Sequence, residues 1–528
     1  MYINPFFYKI EQVRLSVDFT QNSLKNKIAR ILQIFPDDII SVKILSRSLD
    51  ARKKPPVNVV SAEISLKKPL AKTFKFVKPI ENSTSSFNFN TSKHISRPVI
   101  VGFGPAGISA AYFLAKSGQK PLVFERGQQI YDRQKSADVF WNDGILDEES
   151  NVLFGEGGAG LFSDGKLTSR SKDAENRKLF LEMLVRHGAD KSVLTDTRAH
   201  IGTDILSKIL SSIRGEILEL GGEINFDSKL TDIKVSQKKL DGIFVNDAFF
   251  ETQNAILALG HSAHNTYKAL EKYLTIEAKP FAVGVRVEFE QEIINRLRYG
   301  DFAENISPAS YSLTYKPKNF STLRPCYTFC MCPGGRVIAC SAQKGFLSTN
   351  GMSYSQRNMR FGNAAFLVPV AVGDFLQDGK SAFDCAVNFL ESIERKSFEK
   401  GGKNYAVPAQ NLASFLFDKE NGFDFDLSPH RYEVADINGI LPEFAEKTLK
   451  AAILPMLNSM GKIPFERSAV FAAETGSSSP IRILRNSQNL QSTNVSGIFP
   501  CGEGAGYAGG IVSSGIDGIK CAKSVLGN

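Results

Sequence analysis

Tryptophan occurs once, histidine six times and cysteine seven times in these 528 residues. An odd, modest cysteine number gives no disulfide framework and suits reduced thiols in a cytoplasm. No apolar run approaches the ~18 residues needed to cross a bilayer, so a membrane partner is not expected. The first seven residues, MYINPFF, lack a basic stretch followed by an apolar core, and no signal peptide is expected. No internal repeat is found. Apolar content of 42% and charged content of 23% are ordinary for a globular chain. The length exceeds what a single core holds, so two or three domains are expected.

Glycine is not scarce: there are 42, and their placement is informative. Residues 99–111 read VIVGFGPAGISAA, an apolar β-branched run, a glycine turn and a small-residue helix opening with Pro105 and Ala106. A second strand, PLVF at 121–124, ends at Glu125. Gly102 allows the tight turn, Gly104 lets backbone approach a pyrophosphate, and Gly107 lets helix and strand pack closely. The helix N-terminus offers N–H groups and a positive dipole end, while Glu125 is placed to accept from a ribose. Strand, turn, helix, strand and terminal acid together specify a dinucleotide site. The same pattern recurs as GEGGAG at 155–160 and GAGYAG at 504–509. Neither is followed by the elements of a second dinucleotide fold, and close approach of bare backbone to a ligand explains them better.

The order of later elements favours FAD. A short meander precedes NAILALG at 254–260, a buried strand ending in Gly260. Far downstream, VSGIFPCGE at 495–503 is a strand ending in Gly502 and Glu503, and 509–515 opens the last helix. This arrangement resembles the glutathione-reductase-like FAD/NAD(P)-binding superfamily, whose flavin domain is split around an inserted substrate domain. The resemblance gives Glu503 the ribityl chain and gives the Gly510 and Ile511 backbone the flavin pyrimidine ring. A helix N-terminus there would stabilise an anionic reduced flavin. Arg133, on the segment after Glu125, is expected to reach the pyrophosphate, and Arg126 and Gly158 are expected to contact the cofactor.

Several strings resemble an uncharacterised bacterial FAD-dependent dehydrogenase family whose members carry a small domain ahead of the flavin fold. They include RSLDARKK at 47–54, GEGGAG at 155–160, SDGKL at 163–167 and ALGHS at 258–262. KPFAVGVR at 279–286, FCMCPGG at 329–335, NGMS at 350–353 and PCGEGAGYAGGI at 500–511 complete the set. Leu161, His264 with Asn265, and Glu474-Thr475-Gly476-Ser477 depart from that family's pattern, which has Thr, Arg-Asp and an arginine there. The resemblance implies a cofactor and a fold, and no substrate.

Charge of one sign is concentrated. Residues 1–80 hold 15 basic and 6 acidic residues, so the whole net charge of +9 lies there. This segment reads strand, helix, strand, strand, with Ser23 as N-cap and Leu24, Ile28 and Ile31 as the buried stripe. The fold class expected is α/β: a split Rossmann-type FAD-binding domain, an inserted α+β substrate domain and a small N-terminal ferredoxin-like α+β domain. The boundaries expected are 1–80, a polar linker at 81–96, FAD-binding segments at 97–276 and 465–528, and the insert at 277–464. The N-terminal lysines are either solvated surface or a docking face for an acidic protein or RNA.

The cysteines at 326, 330, 332 and 340 match no ligand spacing, and strand alternation would bury Cys330 and Cys332 on one face. A structural turn at 332–335 is the plainer reading. A flavin-proximal thiol pair is the alternative, although C-x-C lacks the loop of flavin disulfide reductases. His261 and His264 lack a third ligand, so no metal is expected. Lys166 either meets an anionic substrate or the reduced flavin, or pairs with Asp164. His261 either acts at the flavin or is structural, and Arg482 is the candidate anion clamp. The reading is an FAD-dependent oxidoreductase moving hydride to or from flavin N5, with NAD(P)H as a transient reductant and a small, anionic substrate. The rivals are an FAD-containing RNA-binding or RNA-modifying protein and a flavin-bound scaffold.

Overall fold

The computed structural model describes residues 6–80, 96–169, 171–318 and 322–527. The N-terminal domain comprises β1 (Phe6–Leu15), α1 (Gln21–Leu32), β2 (Ile39–Asp50), β3 (Val57–Leu66) and β4 (Val77–Pro79). Its sheet has the order β2-β3-β1-β4, the order of a split βαβ unit, with one helix among the described residues rather than the two of a ferredoxin-like layer. Thr20, not Ser23, caps α1. The Thr20 side chain accepts the Ser23 N–H at 3.2 Å, and the Ser23 hydroxyl accepts the Thr20 N–H at 2.9 Å. Ser23 therefore sits at the third helical position of a reciprocal capping box, which satisfies two N–H groups instead of one. Leu24, Ile28, Ala29 and Leu32 bury the helix against Val13, Val60, Ala62 and Ile64.

The flavin-type domain begins with β5 (Val99–Val101), α2 (Pro105–Lys116), β6 (Leu122–Phe124), α3 (Ile130–Asp143), α4 (Ala174–Arg186), α5 (Thr203–Glu219) and β7 (Glu223–Asn225). A meander of β8 (Leu230–Ser236), β9 (Lys239–Val245) and β10 (Ala248–Glu251) leads to β11 (Ala255–Leu257), α6 (His264–Leu270) and β12 (Ile276–Ala278). The insert follows with β13 (Phe281–Glu290), α7 (Gln291–Tyr299), β14 (Thr314–Tyr315), β15 (Cys326–Cys332), β16 (Arg336–Cys340), β17 (Ser348–Met352) and β18 (Phe361–Val370). It continues through α8 (Ala382–Lys400), β19 (Val407–Asn411), α9 (Leu412–Phe417), β20 (Tyr432–Val434), α10 (Glu443–Asn458) and β21 (Ala469–Glu474). The chain then returns through β22 (Ile481–Ile483), β23 (Ile498–Pro500) and α11 (Ile511–Val525).

Five strands from both sides of the insert form one parallel sheet in the order β23-β11-β5-β6-β7. Parallel strands need both faces covered, and β23, β11, β5 and β6 are accordingly apolar without alternation, whereas the edge strand β7 is Glu-Ile-Asn and less buried. Helices α2 and α11 cross closely because Gly518 has no side chain: a Cβ there would stand 2.1 Å from the Ala106 carbonyl oxygen. The insert is built on a seven-stranded sheet, β14-β15-β18-β13-β21-β19-β20. Because β21 pairs with β13 and β19, the insert extends to Glu474, and the boundary expected at 464 is too early. The antiparallel pair β12–β22 is the neck where the chain leaves and re-enters the flavin domain.

The basic N-terminal domain rests on the flavin domain. The Arg47 N–H donates to the Thr195 carbonyl at 2.8 Å, and the Thr197 N–H donates to the Arg47 carbonyl at 3.0 Å. The Arg47 guanidinium also pairs with Asp196 at 2.9 Å, and Leu49 and Ala51 pack against the main core. The linker expected at 81–96 lies, apart from Ser96, outside the described residues.

Candidate functional site

The glycine turn after β5 is shaped by contacts that no side chain would permit. Gly102 has φ +95°, and a Cβ there would lie 2.3 Å from the Ala258 carbonyl oxygen at the end of β11. On Gly107 a Cβ would lie 1.9 Å from the Gly102 carbonyl oxygen, so helix and strand touch through backbone alone. Gly104 differs. It is the N-cap of α2 with no side chain capping it, and its Cβ direction faces Gly158, 3.6 Å away. Gly158, at φ +59°, faces back to within 3.1 Å of the Gly104 Cα. Two bare backbones thus flank the N–H groups of the first turn of α2, which have no partner within the helix.

Glu125 holds this arrangement together. Its carboxylate accepts the N–H groups of Phe103 at 2.6 Å, Gly127 at 3.0 Å and Gly155 at 3.0 Å. A carboxylate has about four acceptor directions, so one remains for an incoming hydroxyl. The expectation of a ribose acceptor therefore needs a second role beside it: Glu125 clasps the first glycine turn to the second glycine loop. Arg133, expected at the pyrophosphate, is fully buried and donates instead to the carbonyls of Asn151, Val152, Gly155 and Glu156. Burial pushes it down to about 10, against the attraction of Glu125 and Glu156. This corrects the expectation, because its donors are committed behind the loop. Arg126 lies 3.8 Å over the Phe154 ring and pairs with Glu149 at 2.8 Å.

At the same carboxyl end of the sheet, turns after β11 and β23 meet. A Cβ on Gly504 would stand 2.1 Å from the Tyr267 hydroxyl and 2.3 Å from the Gly260 carbonyl oxygen, and that hydroxyl donates to the same carbonyl at 2.9 Å. Gly502, at φ +78°, donates its N–H to Asp517 at 2.8 Å, and Arg485 holds Asp517 by two bonds of 2.6 and 2.9 Å. Cys501, Asp517 and Cys521 cluster in the core, but the Arg485 guanidinium already balances the only carboxylate there. Sequence reading missed Asp517 and Arg485, which lie far from Gly502 along the chain and carry no motif of their own. At the start of α11, Ile511 packs against the second glycine loop, 3.1 Å from where a Gly160 Cβ would stand. Gly510 is the uncapped N-cap of that helix.

Glu503 lies 3.4 Å from Nδ1 of His261. Burial works against the imidazolium, but the bond to Glu503, its charge and that of Glu394 outweigh it, so the His261 pKa is raised. Arg482 is exposed on β22, 5.3 Å over the Tyr507 ring, with a weak bond of 3.4 Å to the Gly506 carbonyl. Burial and the neighbouring Arg482 charge lower the Lys279 pKa, only partly opposed by Glu503. Lys166 does not join this group. It pairs with Asp164 at 3.0 Å and donates to the Met331 carbonyl, and Arg357 grips the same Asp164 at 2.9 Å. Its ion-pair reading is the one realised. The two regions are connected through Arg286, which donates to the Cys330 carbonyl and to Glu474, and through Thr475, whose hydroxyl donates to Glu394 at 2.5 Å.

The glycine cradle, the single acceptor left on Glu125 and the uncapped helix starts fit a bound dinucleotide. A family model described as "FAD-dependent protein, C-terminal domain-like" matches residues 280–477, and a domain of unknown function matches residues 8–65. The protein is thus a flavoprotein, and its cofactor is FAD. It belongs to the same family as an uncharacterised protein of Clostridium beijerinckii, 39% identical over 534 residues and 98% of each chain. It is also similar to thiamine thiazole synthase of Sulfolobus acidocaldarius, 79% identical over 28 residues, 5% of this chain and 11% of that one. Among solved structures, glycine oxidase from Bacillus cereus covers 82% of this chain and 97% of its own, with 10% identity and a TM-score of 0.29.

Proposed function

We propose that the protein is an FAD-dependent dehydrogenase or reductase on the glutathione-reductase-like plan, exchanging hydride between flavin N5 and a small anionic substrate. The substrate would lie between the flavin domain and the insert, beside the neck. FAD supplies the two-electron chemistry when bound. The observation that carries the reading is the approach of Gly104 to Gly158 over the first turn of α2. In this reading the Ala106 and Gly107 amides meet the pyrophosphate, and the last acceptor direction of Glu125 takes a ribose hydroxyl. Glu503 takes a ribityl hydroxyl and holds the proton on His261 Nδ1. The backbone at Gly510 and Ile511 faces the pyrimidine ring. Lys279 and Arg482 supply positive charge on one side of the site, which supports an anionic substrate.

One parallel sheet with one complete glycine turn among the described residues supports a single resident dinucleotide. NADH or NADPH would then dock transiently as reductant. The test is the visible spectrum of the purified protein before and after anaerobic addition of NADH, NADPH and organic donors. Bleaching by one donor is expected, with Arg482→Ala raising its KM at unchanged flavin content. If no donor bleaches the flavin, the protein is a flavin-bound scaffold and the proposal is overturned.

A further inference from the structure

Strand β15 ends in Phe329-Cys330-Met331-Cys332, and its pairing with β18 breaks there. Phe329 opposes Ala365 and Cys332 opposes Asn363, so β15 spends one residue more than its partner over this interval. The extra residue is accommodated at Cys330, which takes φ +42°, a left-handed conformation unusual for a residue bearing a β-carbon. In a regular strand, residues two apart stand roughly 6.6 Å from each other on one face, too far for their β-carbons to carry a disulfide. The bulge departs from that regular spacing. The single S–H of Cys332 donates to the Cys330 carbonyl at 3.3 Å or, alternatively, to the Cys330 sulfur beside it.

The charges around the pair come from three elements. Lys166 arrives from the segment after the second glycine loop, Arg286 from β13, and Asp164 and Glu474 oppose them. Tyr311 also faces Cys332. The Cys330 thiol is more acidic than an ordinary one. The Cys332 hydrogen bond is the largest cause, burial opposes it, and the Lys166 and Arg286 cations add to it. Burial instead pushes Cys326 up to about 12 and raises Cys340 as well. Cys330 is partly exposed while Cys332 is buried, so their access to a reagent differs.

We propose that Cys330 and Cys332 form a redox-active dithiol that a small organic disulfide oxidises, with Cys330 attacking and Cys332 resolving. The Cys330 thiolate attacks one reagent sulfur: a Cys330–S bond forms, the reagent S–S bond breaks, and the first thiolate leaves and takes up a proton. Cys332 then loses its proton and attacks the Cys330 Sγ, forming the internal disulfide and expelling the second reagent thiolate, which is protonated. Two protein thiols are oxidised, one reagent disulfide is reduced to two thiols, and no further reactant is needed. This inference is independent of the hydride reaction proposed above, because it concerns the protein's own sulfurs and reads them directly.

The test uses the full-length holoprotein, reduced, desalted and incubated with oxidised glutathione, followed by peptide mass spectrometry. The wild type is expected to lose two hydrogens from the peptide carrying both cysteines. Cys332→Ser should stop at a glutathione adduct on Cys330, and Cys330→Ser should leave Cys332 largely unmodified. Iodoacetamide should label Cys330 at least ~tenfold faster than Cys340, with a half-point below the ordinary thiol value of ~8.5. Lys166→Met, with FAD retained as the folding check, should move that half-point upward. Absence of the internal disulfide overturns the proposal. So does labelling of wild-type Cys330 no faster than Cys340, a measurement that needs no variant to fold.

Discussion

The carboxylate of Glu125 accepts the N–H of Gly155, thirty residues further along, at 3.0 Å. Through this bond and those from Phe103 and Gly127, one side chain fixes the spacing of the two glycine loops. Glu125→Ala would leave three N–H groups without their acceptor, at about 1–3 kcal/mol for each that stays buried. We expect loss of FAD together with a lowered Tm of the apoprotein, measured by flavin stoichiometry and thermal unfolding. Loss of FAD at an unchanged apoprotein Tm would leave Glu125 a ligand contact without the clasp role.

Gly104 and Gly107 should separate cofactor binding from folding. A Cβ on Gly107 collides with the Gly102 carbonyl at 1.9 Å, whereas one on Gly104 meets nothing nearer than 3.6 Å. Gly107→Ala is therefore expected to destabilise the apoprotein by several kcal/mol, since backbone must move. Gly104→Ala should leave the apoprotein stability within about 1 kcal/mol of the parent and still lose FAD, because its methyl group fills the cradle. Circular dichroism melts of both apoproteins, with FAD content by chromatography, check the contrast.

The contact of His261 with Glu503 predicts a pH dependence of known sign. The folded-state pKa of His261 is raised above its ordinary value of 6.5, so its contribution is fully present below that value and is lost as pH rises through the folded pKa. Stability should fall across that window in the wild type and change less in Glu503→Gln. Tm measured against pH for both proteins decides it, and a parallel pair of curves would remove the interaction from the account. The same variant should weaken FAD retention or shift the flavin potential.

Arg47 fastens the basic N-terminal domain to the flavin domain. A chain beginning at Ser92 is expected to retain FAD, since every strand of the parallel sheet lies beyond it. It would also expose the surface that Leu49 and Ala51 cover, with a lower Tm or aggregation as the readout. The Arg47–Asp196 pair is partly exposed, so Arg47→Ala should cost no more than ~1 kcal/mol. An acidic protein or RNA docking on this domain through charge should dissociate steeply between low and physiological salt. Salt-independent binding, or none lost on charge reversal of the domain, would leave its lysines as solvated surface.

The residues that local chemistry governs were legible in the chain. Gly102 must turn with φ positive, Gly107 must lack a Cβ where helix meets strand, and both requirements act within a few residues. The split of the parallel sheet was visible because β5, β11 and β23 are short buried runs, each followed by glycine. Capping was less legible: Thr20 and Ser23 both suit an N-cap, and only the reciprocal bonds between them decide which residue takes it.

What the sequence by itself determined is the dinucleotide turn, the inserted domain and the confinement of net charge to residues 1–80. What the tertiary structure decided is how side chains far apart along the chain are spent. Arg133 went to four carbonyls behind the loop rather than to a phosphate, and Asp517 reached Gly502 with Arg485 at its back. Cys330 was placed in a left-handed bulge beside Cys332 and Lys166 instead of in a flat strand. Backbone conformation follows from short-range sterics that each residue carries with it, whereas a guanidinium or carboxylate takes whichever buried partners the packed elements bring within reach.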